Sequence, residues 1–258
     1  MGAIHTMFFE SLDSAASPGR AVKWWGAIGL LAAGTAWLTG CAMQAQARLR
    51  YRMTVEVETP EGMKSGSSVI ESIITKGPRF GDSSGISYAV KGEAVIVDLG
   101  GGQMLFALLS GLDREPRFFQ AHLFHNALER GAVATPPLPR KYTAQEWREE
   151  RAAAMSGKPL VVLQPEDYPK LVRFRDLADP RTIEAVDPLS LSTAFGQGVA
   201  LKKVSIEVTD DEPEPRIKHV LVWLGDYPEP SLNPGHSPTD RTLSATTHHG
   251  DFIRGTAK

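Results

Sequence analysis

Hydrophobic and polar residues alternate most regularly just after position 50 of this chain. The apolar members of the pattern are Tyr51, Met53, Val55 and Val57. A period of two predicts a β-strand with one buried face and one wet face. We therefore expect these four side chains in the core, with Glu56 and Glu58 directed outward.

Three more strands are predicted after this one. Residues 59–62 read Thr-Pro-Glu-Gly, which is typical of a tight turn because proline presets its own φ and glycine tolerates a positive φ. Residues 68–75 then form the return strand, and residues 88–99 form a third strand. Three glycines at 100–102 predict a turn into a fourth strand over 104–109, so the last two strands form a hairpin.

The period changes to that of a helix in the middle of the chain. Apolar residues over 118–128 recur every three or four positions, which predicts a helix ending near Gly131. Thr143 and Glu146 have the spacing of a capping box, in which each side chain accepts from the other residue's main-chain N–H. A second helix is therefore predicted from this point to Gly157.

Short strands return in the last third of the domain. The apolar stretches 160–163 and 171–174 and the alternating stretch 204–208 have strand patterns. Asp179-Pro180 and Asp187-Pro188 each place an N-cap residue before a proline at the first helical position, which predicts two short helical turns.

The C-terminal composition and the order of elements indicate the fold class. Residues 225–258 are rich in Pro, Ser, Thr, Gly and His and have little apolar periodicity, so a disordered tail is predicted there. Strands come in runs and do not alternate strictly with helices. That order favours a single α+β domain over residues 50–224, with a largely antiparallel sheet and a few short helices.

An apolar segment, predicted to be helical, precedes this domain. Arg20 and Lys23 come just before a stretch, 24–42, that contains no charged residue. A positive flank, an apolar core and small residues at the end are the order of an export signal. We therefore expect residues 1–40 to be a signal segment with a leader. The true start is either Met1 or Met7.

The end of this segment resembles the lipobox of bacterial lipoproteins. The four residues that carry the resemblance are Leu38, Thr39, Gly40 and Cys41, the last being the one cysteine of the chain. The resemblance implies cleavage before Cys41 and lipidation of Cys41, with residues 41–49 as the lipidated cysteine and a linker. It also implies that Ala42 permits sorting to the outer membrane if the cell is Gram-negative.

The same segment can also be interpreted as an uncleaved membrane anchor. The uncharged stretch 24–42 is close in length to the ~20 apolar residues that span a bilayer. Both interpretations place the domain in the cell envelope, facing the periplasm.

The net charge bears on the class of partner, and the cysteine content bears on how the fold is stabilised. The formal net charge is −2, and this near-neutral balance argues against a nucleic-acid partner, which usually requires an excess of clustered Lys and Arg. Because Cys41 has no second cysteine to pair with, the fold must rely on its core, which a chain of this length can supply.

One fragment matches a serine-nucleophile motif. Residues 81–85 read Gly-Asp-Ser-Ser-Gly, which fits G-x-S-x-G. A nucleophile elbow needs a helix after the serine, whereas residues 86–97 continue as a strand. We therefore interpret this fragment as a loop and expect no catalytic residue in it.

The histidines and acidic residues do not form a metal-binding motif. His122 and His125 lie three apart without the glutamate of H-E-x-x-H. The pair of histidines and the aspartate within 248–251 belong to the predicted tail, and the acidic stretch 210–212 lacks the spacing of a calcium loop. We expect no metal and no cofactor.

The body of the chain resembles uncharacterised proteobacterial proteins. The resemblance is carried by Thr-Val-Glu-Val-Glu-Thr-Pro-Glu-Gly at 54–62 and Leu-Val-Arg-Phe-Arg-Asp at 171–176. It implies a coherent domain and supplies no site residues.

The sequence thus predicts a lipid-anchored cell-envelope protein with a binding or structural role. Its expected partners are the membrane, through lipid on Cys41, and an envelope protein or a small ligand. One alternative is an envelope hydrolase that uses Ser83 or Ser84 with His122 or His219. The other is the uncleaved, signal-anchored membrane protein.

Overall fold

Two long strands joined by a tight turn begin the described fold. The structure is a computed structural model, and it describes residues 45–77, 85–112, 115–117, 119, 120, 123, 157, 160–225 and 229–255. β1 (Ala45–Thr59) pairs antiparallel with β2 (Gly62–Lys76), and Thr59 lies opposite Gly62. The predicted turn and return strand are confirmed.

The predicted register of β1 is also confirmed. Tyr51, Met53, Val55 and Val57 are each 0% exposed. The side chains of Glu56 and Glu58, by contrast, are 30% and 49% exposed and form ion pairs with lysines of a neighbouring strand. Alternation therefore separates a buried face from a wet face along this strand.

Six strands form the first sheet, in the order β10-β3-β2-β1-β9-β6. The four strands besides the β1–β2 hairpin are β3 (Ile86–Glu93), β6 (Leu160–Val162), β9 (Ala200–Val208) and β10 (Ile253–Arg254). Every neighbouring pair is antiparallel.

The single strand predicted over 88–99 is wrong, because the chain changes sheets at Ala94. β4 (Val95–Gly100) belongs to a second sheet. Gly92 adopts φ +147°, and the N–H of Ala94 donates to the carbonyl of Phe252 at 2.8 Å. Apolar residues continue across the break, so the sequence pattern does not reveal it.

The second sheet has the order β4-β5-β7-β8. Its other strands are β5 (Gln103–Gly111), β7 (Pro169–Phe174) and β8 (Ile183–Ala185). The glycines at 100–102 all have positive φ and join β4 to β5 as the predicted hairpin. β5 is buried continuously from Leu105 onward, so this sheet is covered on both faces.

The two faces of the second sheet contact different cores. One core lies between the sheets and contains Val55, Val97 and Leu105. The other lies on the far side and contains Phe106 and Phe252. The described fold therefore has three layers: the first sheet, the second sheet and a C-terminal layer of short helices.

The main chains of the two sheets come into direct contact at Gly66 of β2. A Cβ built on Gly66 would lie 1.8 Å from the carbonyl oxygen of Ile96 on β4. Real Cβ atoms do not approach an oxygen this closely, so only glycine fits there.

Short helices complete the fold. They are α1 (Leu191–Phe195), α2 (Ile217–Val220), α3 (Leu243–Thr246) and α4 (His249–Phe252). Asp179 caps a 3-10 turn, accepting from the N–H of Arg181, as predicted for Asp179-Pro180. The helix predicted directly after Asp187-Pro188 is wrong, because Asp187 accepts from the N–H of Leu189 in a turn and α1 begins later.

The disordered tail predicted over 225–258 is wrong for residues 229–255. Leu232 and Ala245 are 1% and 4% exposed, and Phe252 is fully buried. β10 pairs with β3 at the edge of the first sheet. The apolar residues of this segment show no regular spacing in the sequence, yet Leu232, Phe252 and Ile253 pack in the core on the far side of the second sheet. This burial orders the segment although it lacks apolar periodicity.

The predicted class of antiparallel strands with a few short helices in a single domain is confirmed, but the strands form two sheets where one was predicted, in one compact unit beginning at Ala45. Phe119, Gln120 and Leu123 are helical, consistent with part of the helix predicted over 118–131. The signal segment at 1–40, Cys41 and the helix predicted to begin at Thr143 lie outside the described residues, apart from Gly157.

Candidate functional site

Part of β2 has a free edge. β3 pairs with β2 only from Glu71 to Lys76. Within the described part of the chain, no strand pairs with residues 63–69 on the side away from β1. The edge is free because the chain leaves this sheet at Ala94, instead of continuing β3 along the whole of β2.

A cleft of about 650 Å³ lies against this free edge, and we call it the edge cleft. Its walls are residues 65–69 of β2, the crossover residues Glu93, Ala94 and Ile96, and an acidic loop that contains Asp211 to Arg216. Arg52 completes the lining. The change of sheets at Ala94 therefore creates both the open edge and the space beside it.

Glu93 is the unusual residue of the edge cleft. It is 3% exposed, and its Oε2 accepts from the N–H groups of Arg216 at 2.6 Å and Ile217 at 2.9 Å, at the start of α2. Its Oε1 is buried and has no hydrogen-bond partner among the residues that the structure describes. Buried carboxylate oxygens are normally paired, so an orphaned one beside a cleft points to a donor that arrives from outside.

The rest of the lining carries more negative than positive charge. Four carboxylates and two guanidiniums line the cleft. Arg52 pairs with Asp211 at 2.5 Å, and Arg216 pairs with Glu214 at 2.5 Å. These exposed pairs add little stability. Glu212 pairs with Arg50 of β1 at 2.8 Å. The carboxylate of Glu93 is therefore left without a cationic partner among the lining residues, and this charge makes the edge cleft more attractive to cations than to anions.

A second cleft, of about 530 Å³, lies near the C-terminal helices, and we call it the C-terminal cleft. Ser110, His248 and Asp251 line it together, and Ser110 Oγ is buried with no partner among the described residues. Nδ1 of His248 lies 4.0 Å from Oδ2 of Asp251. A serine, a histidine and a carboxylate thus share one cleft, but no hydrogen bond joins the serine to the histidine.

The adjacent His249 has a structural contact of its own. Its Nδ1 accepts from the N–H of Gly225 at 2.9 Å. Burial, and to a lesser extent the neighbouring His248, lowers the pKa of His249 below its usual range. The neutral imidazole can therefore keep this acceptor role near pH 7.

Most residues that the sequence singled out lie outside the described part of the chain. These are Leu38, Thr39, Gly40, Cys41, Ser83, Ser84, His122 and His125. His219 is described, and it is exposed on α2 and lines neither cleft. Among the described residues, no group of three His, Cys, Asp or Glu side chains could hold a metal ion.

Sequence reasoning missed Glu93 and Ser110. Glu93 was treated as part of a strand, although a glutamate between Gly92 and an apolar run was a signal that could have been used. Ser110 follows six apolar or small residues and carries no comparable signal. The acidic stretch 210–212 drew attention only as a possible calcium loop, whereas Asp211 and Glu212 pair with Arg52 and Arg50 of β1.

Comparisons with known proteins give no match to a family model, a curated protein or a solved structure. Helices of the described residues are all too short, or too polar, to cross a membrane.

Proposed function

We propose that this chain is a lipid-anchored cell-envelope protein whose folded domain binds a ligand in the edge cleft. Anchoring is supported by the sequence alone, through the uncharged stretch 24–42 and the lipobox-like Leu38-Thr39-Gly40-Cys41. Cys41 would carry the lipid, and the domain would face the periplasm, from the outer membrane if the cell is Gram-negative. An uncleaved anchor is the alternative for the same segment.

The observation that carries the binding role is Glu93. Its Oε1 is buried beside an open cleft with no partner in the described part of the chain, and an unpaired buried acceptor costs about 1–3 kcal/mol. A purely structural protein gains nothing from that cost. A ligand that donates to this oxygen recovers it, so the arrangement favours binding over a purely structural role.

Native mass spectrometry of the membrane-extracted protein tests this role. We expect a non-covalent ligand on the wild type, and at least a tenfold lower bound fraction on Glu93→Gln, because the amide can keep the bonds to α2 but lacks the charge. Glu207→Gln serves as the control, since it removes the same charge from an exposed residue outside the cleft. A wild-type protein without ligand, or equal retention by Glu93→Gln, would contradict the proposal.

A second candidate function, an envelope hydrolase, is favoured by one observation. Ser110, His248 and Asp251 line the same cleft, which is the residue set of a catalytic triad. The arrangement lacks the serine-to-histidine bond that activates the nucleophile, and Ser110 Oγ is shielded from solvent.

We therefore expect Ser110 to be unreactive toward a fluorophosphonate probe. Labelling should be at background for the wild type and unchanged in Ser110→Ala, because a buried hydroxyl without a base is a weak nucleophile. Probe attached to Ser110, located by peptide mass spectrometry, would establish the hydrolase instead.

A further inference from the structure

The free edge of β2 has main-chain groups directed into the edge cleft. Pairs along an antiparallel ladder alternate between hydrogen-bonded and non-hydrogen-bonded. The two-residue turn closes on the hydrogen-bonded pair Thr59–Gly62. Counting from that pair, Ser65, Ser67 and Val69 turn their N–H and C=O groups away from β1. The carbonyl of Val69 lies against Gly92 of β3, so the open donors and acceptors are those of Ser65 and Ser67, spaced by the two-residue repeat of a strand.

Residues 65–68 of this edge lack the usual protection against pairing, and the charged residue before them, Lys64, is paired with Glu61 in the turn. Exposed edges are normally guarded by charged side chains, prolines, bulges or a covering segment. Residues 65–68 read Ser-Gly-Ser-Ser and carry no charge, and the β1–β2 register is regular along them. Small side chains leave room for a second main chain beside β2.

The charge of the cleft indicates what kind of segment fits. The lining beside the edge includes the carboxylate of Glu93, whose Oε1 has no partner among the described residues, and the acidic loop from Asp211 to Glu214. The lining has two more carboxylates than guanidiniums. A strand with lysine or arginine side chains on one face would supply main-chain partners to β2 and a cation to Glu93.

We infer that the edge cleft binds an extended, basic segment of another protein, which adds to β2 as an additional strand. This inference rests on the proposed binding role and names the chemistry of the ligand. Main-chain hydrogen bonds to residues 65 and 67 hold the segment, as in other strand-addition complexes. The excess of carboxylates selects lysine or arginine over acidic side chains.

Fluorescence anisotropy with labelled eight-residue peptides tests the inference. A peptide alternating Val and Lys should bind the full-length, detergent-solubilised protein, and the Val–Glu peptide should bind at least tenfold more weakly, a difference of ~1.4 kcal/mol. Methylation of alternate main-chain nitrogens in the basic peptide, on the edge that faces β2, should weaken binding by a similar factor, because it removes the donors to β2. Binding that is indifferent to methylation would overturn strand addition.

Two pairs of variants locate the site. Ser67→Pro removes an outward N–H, which an edge strand tolerates, and should lower the affinity for the basic peptide about tenfold. Ser67→Ala should bind the peptide with an affinity within about twofold of the wild type. Glu93→Gln should lower the affinity for the basic peptide, and Glu207→Gln should leave it unchanged. Thermal melting identifies any variant that has lost its fold, and the methylated peptide on wild type provides the same test without mutation.

Other outcomes are distinguishable. Protein that carries a Glu93-dependent ligand yet binds no peptide contradicts the strand and leaves the binding role intact. Absence of both ligand and peptide binding overturns the binding role as well as strand addition. Self-association that is lost in Ser67→Pro, measured by sedimentation, would assign the edge to a second copy of this chain instead.

Discussion

Gly66→Ala should destabilise the domain by about 3 kcal/mol or more, which is the upper range for inserting a methyl group into a tightly packed site. The new Cβ would lie 1.8 Å from the carbonyl oxygen of Ile96 and 2.7 Å from its carbonyl carbon. Both atoms belong to the main chain of β4, so no side-chain rotation relieves the clash. The two sheets would have to separate, which opens the core between them. Urea denaturation gives the free energy of unfolding.

Gly235→Ala is the matched control. A Cβ at Gly235 meets no atom within 4 Å, and its φ lies outside the left-handed region. Its effect should stay within about 0.5 kcal/mol, as for other open surface positions. Equal stability of the Gly66 and Gly235 variants would mean that the sheets do not approach as described.

Phe252→Ala should cost about 3–5 kcal/mol, the usual range for removing a buried phenylalanine ring. Phe252 is 0% exposed, and its ring centroid lies 6.2 Å from that of Phe106 and 5.8 Å from that of Phe174. These contacts join the C-terminal segment to β5 and β7. The loss should lower the melting temperature by roughly 10 °C, since 1 kcal/mol corresponds to about 2–4 °C at this size.

Val222→Ala is the control for that variant. Val222 is 80% exposed, so its truncation should leave stability nearly unchanged. A Phe252→Ala protein with the same melting temperature as the wild type would support the disordered tail that the composition suggested.

The sequence correctly predicted those elements whose conformation is determined by residues close together in the chain. Tyr51 to Val57 alternate because β1 has one dry face and one wet face, and the turns at 59–62 and 100–102 need the residues that occupy them. Asp179 caps the turn that its spacing indicates. In each case neighbouring residues determine the conformation.

The features of the fold that the sequence did not predict depend on contacts between residues that are far apart in the chain. The break at Ala94 follows from pairing with the C-terminal segment, which no pattern near position 94 encodes. Leu232 and Phe252 are buried against the second sheet, although they lie in a stretch that is mostly polar. The edge cleft depends on both events, so the cleft could not be predicted from the sequence, and the position of Glu93 between Gly92 and an apolar run was the one local signal of its role.

Mass spectrometry of the intact protein extracted from membranes tests the lipoprotein claim most directly. Each buried acyl CH₂ contributes ~0.8 kcal/mol, so two or more chains on Cys41 would anchor the domain firmly. We predict an N-terminus at Cys41 carrying lipid, and a Cys41→Ser variant that is neither lipidated nor cleaved. A wild-type protein that retains residues 20–40 with a free Cys41 thiol would contradict the lipoprotein and support the uncleaved anchor.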